Sequence, residues 1–290
     1  MAADVTTFVQ TVIFGLVNGS VIAVGAVGLT LSYGVTRFIN FAYGEFLTLG
    51  AYATLLVVGF GTGVPLAAVA AILGVGVLGV AVARVFYDPL RGRGALPLLI
   101  TSIGVAFVIR NLLRAVAGAE ARQLPVPLMR PWTFAGLHLN PIEAGVFAVA
   151  VLTMLGVHLL LQRTMLGKRM RATSGNTQLA KVAGIDTDAV VRRTWFISAA
   201  TGALAGVLLA LQFPPFRPIM GWDFLLVVFA ATLLGGIGRP YGAMAGALVV
   251  GVAMSLGTRF LATDYTMAYA FAILVGVLLF RPEGIAGGEL

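Results

Sequence analysis

Acidic side chains in an apolar chain are the first place to look for chemistry, because a carboxylate at membrane depth is costly and marks a pathway, a proton relay or a helix contact. Those near apolar runs are Glu45, Asp88, Glu143, Asp223, Asp264 and Glu283. Each stands at the end of a run. A self-sufficient proton- or sodium-coupled carrier places such groups deep in its spans, so the pattern favours a conduit whose energy comes from elsewhere. Cysteine is absent, which excludes disulfides, thiolate metal sites and cysteine nucleophiles. His138 and His158 stand alone. No GxxxxGK[ST], no HExxH and no Ser, His and acid set occurs, so phosphate cradling, zinc hydrolysis and serine hydrolysis have no residues to carry them. Gly74, Gly76 and Gly79 match the dinucleotide fingerprint formally. They lie inside an apolar run with no strand before it, and are read as helix-packing residues. The chain is expected to be non-catalytic and to bind no metal or cofactor itself.

The other chemistry on offer is recognition. Residues 163–193 form the one long polar stretch and carry seven of the 19 basic residues. Within it the spacing predicts a miniature helix. Asn176 is placed as N-cap, Thr177 to Ala183 as about two turns, and Gly184 as a left-handed C-cap. Leu179, Val182 and Ala183 share one apolar face. A helix this short needs a surface to lie against. Two readings stand: it rests on its own bundle, or it docks a cytoplasmic partner.

The elements that must position these groups are membrane spans. The 290 residues are 59% hydrophobic and only 10% charged, with mean hydropathy +1.00, and a soluble surface alone needs roughly 25% charged residues. The expected fold is all-α: a polytopic helical membrane protein with about 8–9 transmembrane helices, residues 1–290 forming one transmembrane domain. The net charge of +8 is scattered in short loops without aromatic platforms, which points to topology and anionic lipid, not nucleic acid. Spans are expected at about residues 8–32, 41–60, 65–85, 95–117, 142–161, 194–211, 240–258 and 265–280. The uncharged run 224–238 is short for a full crossing and reads as a broken or half helix. Gly15, Gly19 and Ala23, and later Gly242 and Gly246, repeat at four residues, the spacing that lets helices approach closely. Asn18 and Ser20 sit inside the first span and either bond across a helix interface or face a pathway. Asn40 is expected to cap a helix starting at Phe41, which sets Tyr43 and Glu45 in its first turns. Glu45 is an interfacial cap or, as the reading preferred here, a pathway or packing group.

Charge sets the orientation. Nine crossings with the N-terminus outside and the C-terminus cytoplasmic place 13 of the 19 basic residues inside, as the positive-inside rule requires. Arg110 and Arg114, counted outside, weaken the bias.

These stretches also carry a resemblance. The run YGVTRFINFAYGEFLTLGAY is similar to the Asn-Phe-Ala-x-Gly-Glu signature of the branched-chain amino-acid ABC transporter permeases. GKRMRATSGNTQLAKVAGID resembles their cytoplasmic coupling segment, LLGGIGRPYGAMAGALVVG their glycine-rich run, and RPEGIAG their closing segment. The likeness covers nearly the whole chain and is nearest to the shorter of the two homologous permeases. Gly175 and Asn176 stand where many members carry acidic residues, and Arg239 where a Ser is usual. The resemblance implies a cell-membrane importer of two homologous permeases, two cytoplasmic ATPases that hold ATP and magnesium, and an external solute-binding protein. On that reading residues 163–193 are the coupling loop, with Arg171, Ala172, Asn176, Leu179, Ala180, Val182, Gly184, Ile185 and Asp186 at the ATPase. Asn18, Ser20, Asn40, Tyr43 and Glu45 are the pathway candidates. The glycine-rich segments 33–50 and 235–251, each with a Tyr-Gly pair, hint at an internal repeat. The alternatives are a stand-alone carrier or channel for a small polar solute, and a purely structural membrane subunit.

Overall fold

A computed structural model describes residues 2–127, 129–134, 137–260, 266–280 and 284. The chain forms eleven α-helices among these residues: α1 Ala2–Thr36, α2 Tyr43–Val58, α3 Val64–Val82, α4 Ala95–Ala117, α5 Pro141–Arg163, α6 Met165–Gly175, α7 Thr177–Val182, α8 Thr187–Gln212, α9 Met220–Gly235, α10 Pro240–Phe260 and α11 Thr266–Phe280. Helix α3 continues through a π turn at Ala83–Tyr87 and a 3-10 turn at Asp88–Leu90. The proline-rich connection after α4 carries a small antiparallel hairpin, β1 Trp132–Phe134 with β2 Leu137–Leu139, and Arg122 forms an isolated bridge with Phe216. Of the expected closing segment RPEGIAG only Gly284 is among the described residues, and Asp264 and Glu283 lie outside them.

Among the described residues, six helices are long and apolar enough to cross a membrane: α1, α3 with its extension, α4, α5, α8 and α10. Helices α2, α9 and the Ala268–Val277 part of α11 are apolar but shorter. The protein is therefore an all-α, multi-pass membrane protein; six of its described helices have spanning length by themselves, and the expected eight or nine crossings would need the shorter apolar helices as well. Helix α8 begins at Thr187, so the last residues of the polar stretch 163–193 already belong to a spanning helix.

Helices α1 and α8 form the centre, and α4 and α5 the periphery. Small residues decide how closely the centre packs. A Cβ on Gly251 of α10 would fall 2.3 Å from Gly19 Cα of α1, and one on Gly15 would fall 2.7 Å from Val252 Cα. One on Gly206 of α8 would fall 1.8 Å from the Leu47 carbonyl of α2. Gly76 and Gly79 of α3 face Phe196 and Ala199 of α8, whereas Gly74 faces open space. With lipid as apolar as the helix surfaces, such close backbone contact is what favours one helix neighbour over another.

The contact order fixes the directions. Gly15 and Gly19 of α1 meet Val252 and Leu248 of α10, and Gly25 and Gly28 meet Ala205 and Thr201 of α8, so α1 is antiparallel to both. Tyr43 and Leu47 of α2 meet Gly202 and Gly206 of α8, a parallel pair. Gly235 and Ala231 of α9 meet Gly242 and Gly246 of α10, an antiparallel pair. Helices α2 and α9 therefore point in opposite directions.

Candidate functional site

The polar stretch between α5 and α8 folds into two short helices at the end of the bundle. Thr164 caps α6, its hydroxyl accepting from the Gly167 amide at 3.0 Å. Asn176 caps α7, its Oδ1 accepting from the Leu179 amide at 2.9 Å. Gly184 has φ +80°, the left-handed region. The Gly184 amide donates to the Lys181 carbonyl and the Ile185 amide to the Ala180 carbonyl, each at 3.0 Å, which is the Schellman pattern of a helix stop. Asp186 then caps α8 through the Ala189 amide at 2.9 Å. That bond, helped by Arg192 and Arg193, holds the Asp186 carboxyl below the usual aspartate range. Three caps within 11 residues, Asn176 to Asp186, fix α7 rigidly between its neighbours.

Helix α7 turns Ala180 inward, 4% exposed, and turns Leu179 and Val182 outward, 65% and 86% exposed. The apolar pair thus does not rest on the bundle. Ala172, Asn176, Gly184 and Asp186 are also exposed, and Ile185 is half-buried. Arg171 is exposed and donates to Gln162 Oε1 at 3.0 Å.

A second group of polar residues lies inside the bundle. Arg110 of α4 donates through Nε to Glu45 Oε1 of α2 at 3.0 Å, and through Nη2 to the same oxygen. Both side chains are buried, and Glu45 Oε2 has no hydrogen-bond partner. The Arg110 guanidinium lies 4.5 Å from the Trp222 ring centre of α9, a cation–π contact. The α2 and α9 N-termini meet beside this pair. A Cβ on Gly44 would fall 2.6 Å from the Gly221 carbonyl oxygen, and the Gly221 amide donates to Thr48 Oγ1 at 3.1 Å. Each helix has 16 residues, about 24 Å, short of the roughly 30 Å hydrocarbon thickness. They point apart from a shared junction, and α9 has the short length the sequence shows for residues 224–238.

The family model described as "Branched-chain amino acid transport system / permease component" matches residues 11–278. This chain belongs to that permease family. It is 33% identical to the high-affinity branched-chain amino acid transport system permease protein LivH of Escherichia coli K12, over 99% of this chain and 98% of LivH. The identity to BraD of Pseudomonas aeruginosa, of the same description, is also 33%, over 98% of this chain and 97% of BraD. Among solved structures, PsaBC from Streptococcus pneumoniae in complex with Fab is similar in fold, with a TM-score of 0.55 at 13% identity over 95% of this chain and 92% of that one.

Within this permease the residues singled out from sequence occupy different surroundings. Asn18 lines a polar recess of about 430 Å³ with Thr11, Glu143, Gln212 and Ser255. Its Nδ2 donates to Ser255 Oγ at 3.4 Å, and it accepts from Gln212 Nε2 at 3.3 Å. Ser20 is buried and donates to the Val17 carbonyl of its own helix. Tyr43 is buried, its hydroxyl donating to the Gly25 carbonyl at 2.8 Å, so it joins α2 to α1. Helix α2 starts at Tyr43 and its N-cap position is Ala42. Asn40 instead makes an Asx-type turn, its Oδ1 accepting from the Ala42 amide and from Tyr87 Oη, both at 3.0 Å. Glu45, which has no evident partner in the sequence, has Arg110. Arg110 in turn is an interior residue of the bundle and no longer counts as an external loop charge. Arg110, Trp222, Asp223 and Ser102, whose Oγ accepts from the Phe41 amide at 3.1 Å, were missing from the sequence-derived site. An arginine inside the apolar run of α4 was the available signal.

Proposed function

We propose that this chain is the membrane-spanning permease subunit of an ATP-driven importer for branched-chain or related amino acids, forming the pathway with a homologous second permease. Two cytoplasmic ATPases supply the energy and hold the ATP and magnesium, and an external solute-binding protein delivers the solute. The observation that carries this reading is helix α7: capped at both ends, flanked by basic residues, and presenting Leu179 and Val182 to solvent. A rigid helix with an uncovered apolar pair is what a partner needs to grip if its motion is to reach the spans. Family membership supports the solute class. A relative over 82% of this chain, the LsrC permease of an autoinducer 2 import system, shows that the scaffold serves other solutes too.

The orientation proposed is N-terminus outside, with α6, α7 and the C-terminus cytoplasmic. Removing Arg110 from the external charges strengthens the positive-inside bias. Helices α2, α9 and α11 complete nine passes on this reading, α2 and α9 with help from the non-helical segments that precede them.

Co-purification of the ATPase with Leu179→Asp tests the coupling assignment. Burying an unpaired carboxylate in the contact costs several kcal/mol, and about 1.4 kcal/mol is already tenfold in affinity. The variant should insert normally and lose the ATPase. Full ATPase binding and uptake would return α7 to a bundle element without a partner.

A further inference from the structure

Asp223 follows Trp222 in the first turn of α9 and is half-buried. Its carboxylate makes no hydrogen bond or ion pair with any described residue. It stands 12 residues before Gly235, about 18 Å from the far end of α9 along the axis. The neighbouring junction of Gly44 with Gly221 lies beside Tyr43, which bonds to Gly25, 11 residues before the C-terminal end of α1. Asp223 is therefore near the middle of the bilayer. Its neighbour in sequence, Trp222, packs 6.2 Å from Phe41 and 6.4 Å from Phe107, and Phe41 lies 5.4 Å from Phe229; none of these four rings is fully buried. A partly open, unpaired carboxylate at that depth is not tolerated against lipid and belongs on a water-filled path.

We infer that this face of α4 and α9 is a wall of the solute conduit, with Asp223 receiving the α-ammonium group of an amino acid while the aromatic rings receive its apolar side chain. This rests on the permease reading above and names the chemistry by which the conduit recognises its solute. The Glu45–Arg110 pair acts as a positioning element: Arg110, held by Glu45, lies on Trp222 and so fixes the ring next to Asp223. Glu45 Oε2, buried and unpartnered, leaves the pair one further acceptor.

The absence of cysteine gives a clean background for the test. In the assembled transporter, Asp223→Cys should react with a charged methanethiosulfonate reagent, and saturating leucine should slow that reaction. Val77→Cys, on the exposed face of α3, should stay unreactive. Asp223→Asn should assemble normally yet lower radiolabelled leucine uptake at least tenfold, with Asp223→Glu restoring part of it. An unreactive Asp223→Cys, as on a lipid face or a closed contact between permeases, overturns the inference, as does Asp223→Asn uptake within twofold of wild type. If the wild-type transporter itself takes up no leucine, the solute assignment fails instead, while the reactivity of Asp223→Cys still decides whether this face is wet.

Discussion

At the residue scale the buried Glu45–Arg110 pair is expected to bear on both stability and transport. Both groups are withdrawn from water, so removing one strands the other, and breaking a buried pair typically costs about 3–5 kcal/mol. Arg110→Met alone should lower the melting temperature of the purified protein sharply. Glu45→Leu with Arg110→Met should recover much of that loss, because no unpaired charge remains. Equal destabilisation by the single and double variants would show that the pair is not energetically coupled. Glu45→Gln keeps one hydrogen bond to Arg110 and should reduce transport more than assembly. Asp186 gives a pH prediction of opposite character. Its folded-state pKa is depressed, chiefly by the Ala189 amide. Its capping contribution is then complete above the ordinary aspartate pKa of about 3.9 and is lost only as pH falls through the lower folded value. Hydrogen exchange at the Ala189 amide should therefore report an unchanged cap from neutral pH down to about pH 5. A cap that loosens across that range would contradict the geometry.

At the element scale the stop of α7 is set by backbone conformation alone. A Cβ at Gly184 would meet nothing within 4 Å, yet φ is +80°. Valine there is strained, by roughly 1–2 kcal/mol, whereas asparagine tolerates the left-handed region. Gly184→Val should reduce solute-stimulated ATP hydrolysis while Gly184→Asn largely preserves it. Lys181→Ala, an exposed charge, should stay within about 0.5 kcal/mol of wild type in ATPase affinity. Equal behaviour of the valine and asparagine variants would separate the helix stop from coupling. The contact of α1 with α10 is set by size instead: Gly251→Leu has no space beside Gly19 and should abolish accumulation of folded protein in the membrane.

At the scale of the whole molecule, topology is the testable quantity. Thr177→Cys should label only from the cytoplasmic side and Gly63→Cys only from outside. Labelling of both from one side would break the nine-pass arrangement. The short helices α2 and α9 give this test its weight, since they point in opposite directions from a shared junction.

Composition and hydrophobic run length already determined an all-helical membrane protein, because no water inside a bilayer can satisfy a bare backbone. The caps of α7 were legible too: Asn176 and Gly184 act through bonds to residues within five positions, which local spacing encodes. Glycine stripes such as Gly15–Gly19 announced close packing but not the neighbour, which is α10. The partner of Glu45 stands 65 residues away in sequence, and nothing local to either residue specifies the other. The same holds for Asp223, which read as an acidic residue at the end of a short apolar run. Only the tertiary structure, by setting two short helices end against end with α4 across their junction, brings that carboxylate next to the Trp222 ring on which Arg110 lies.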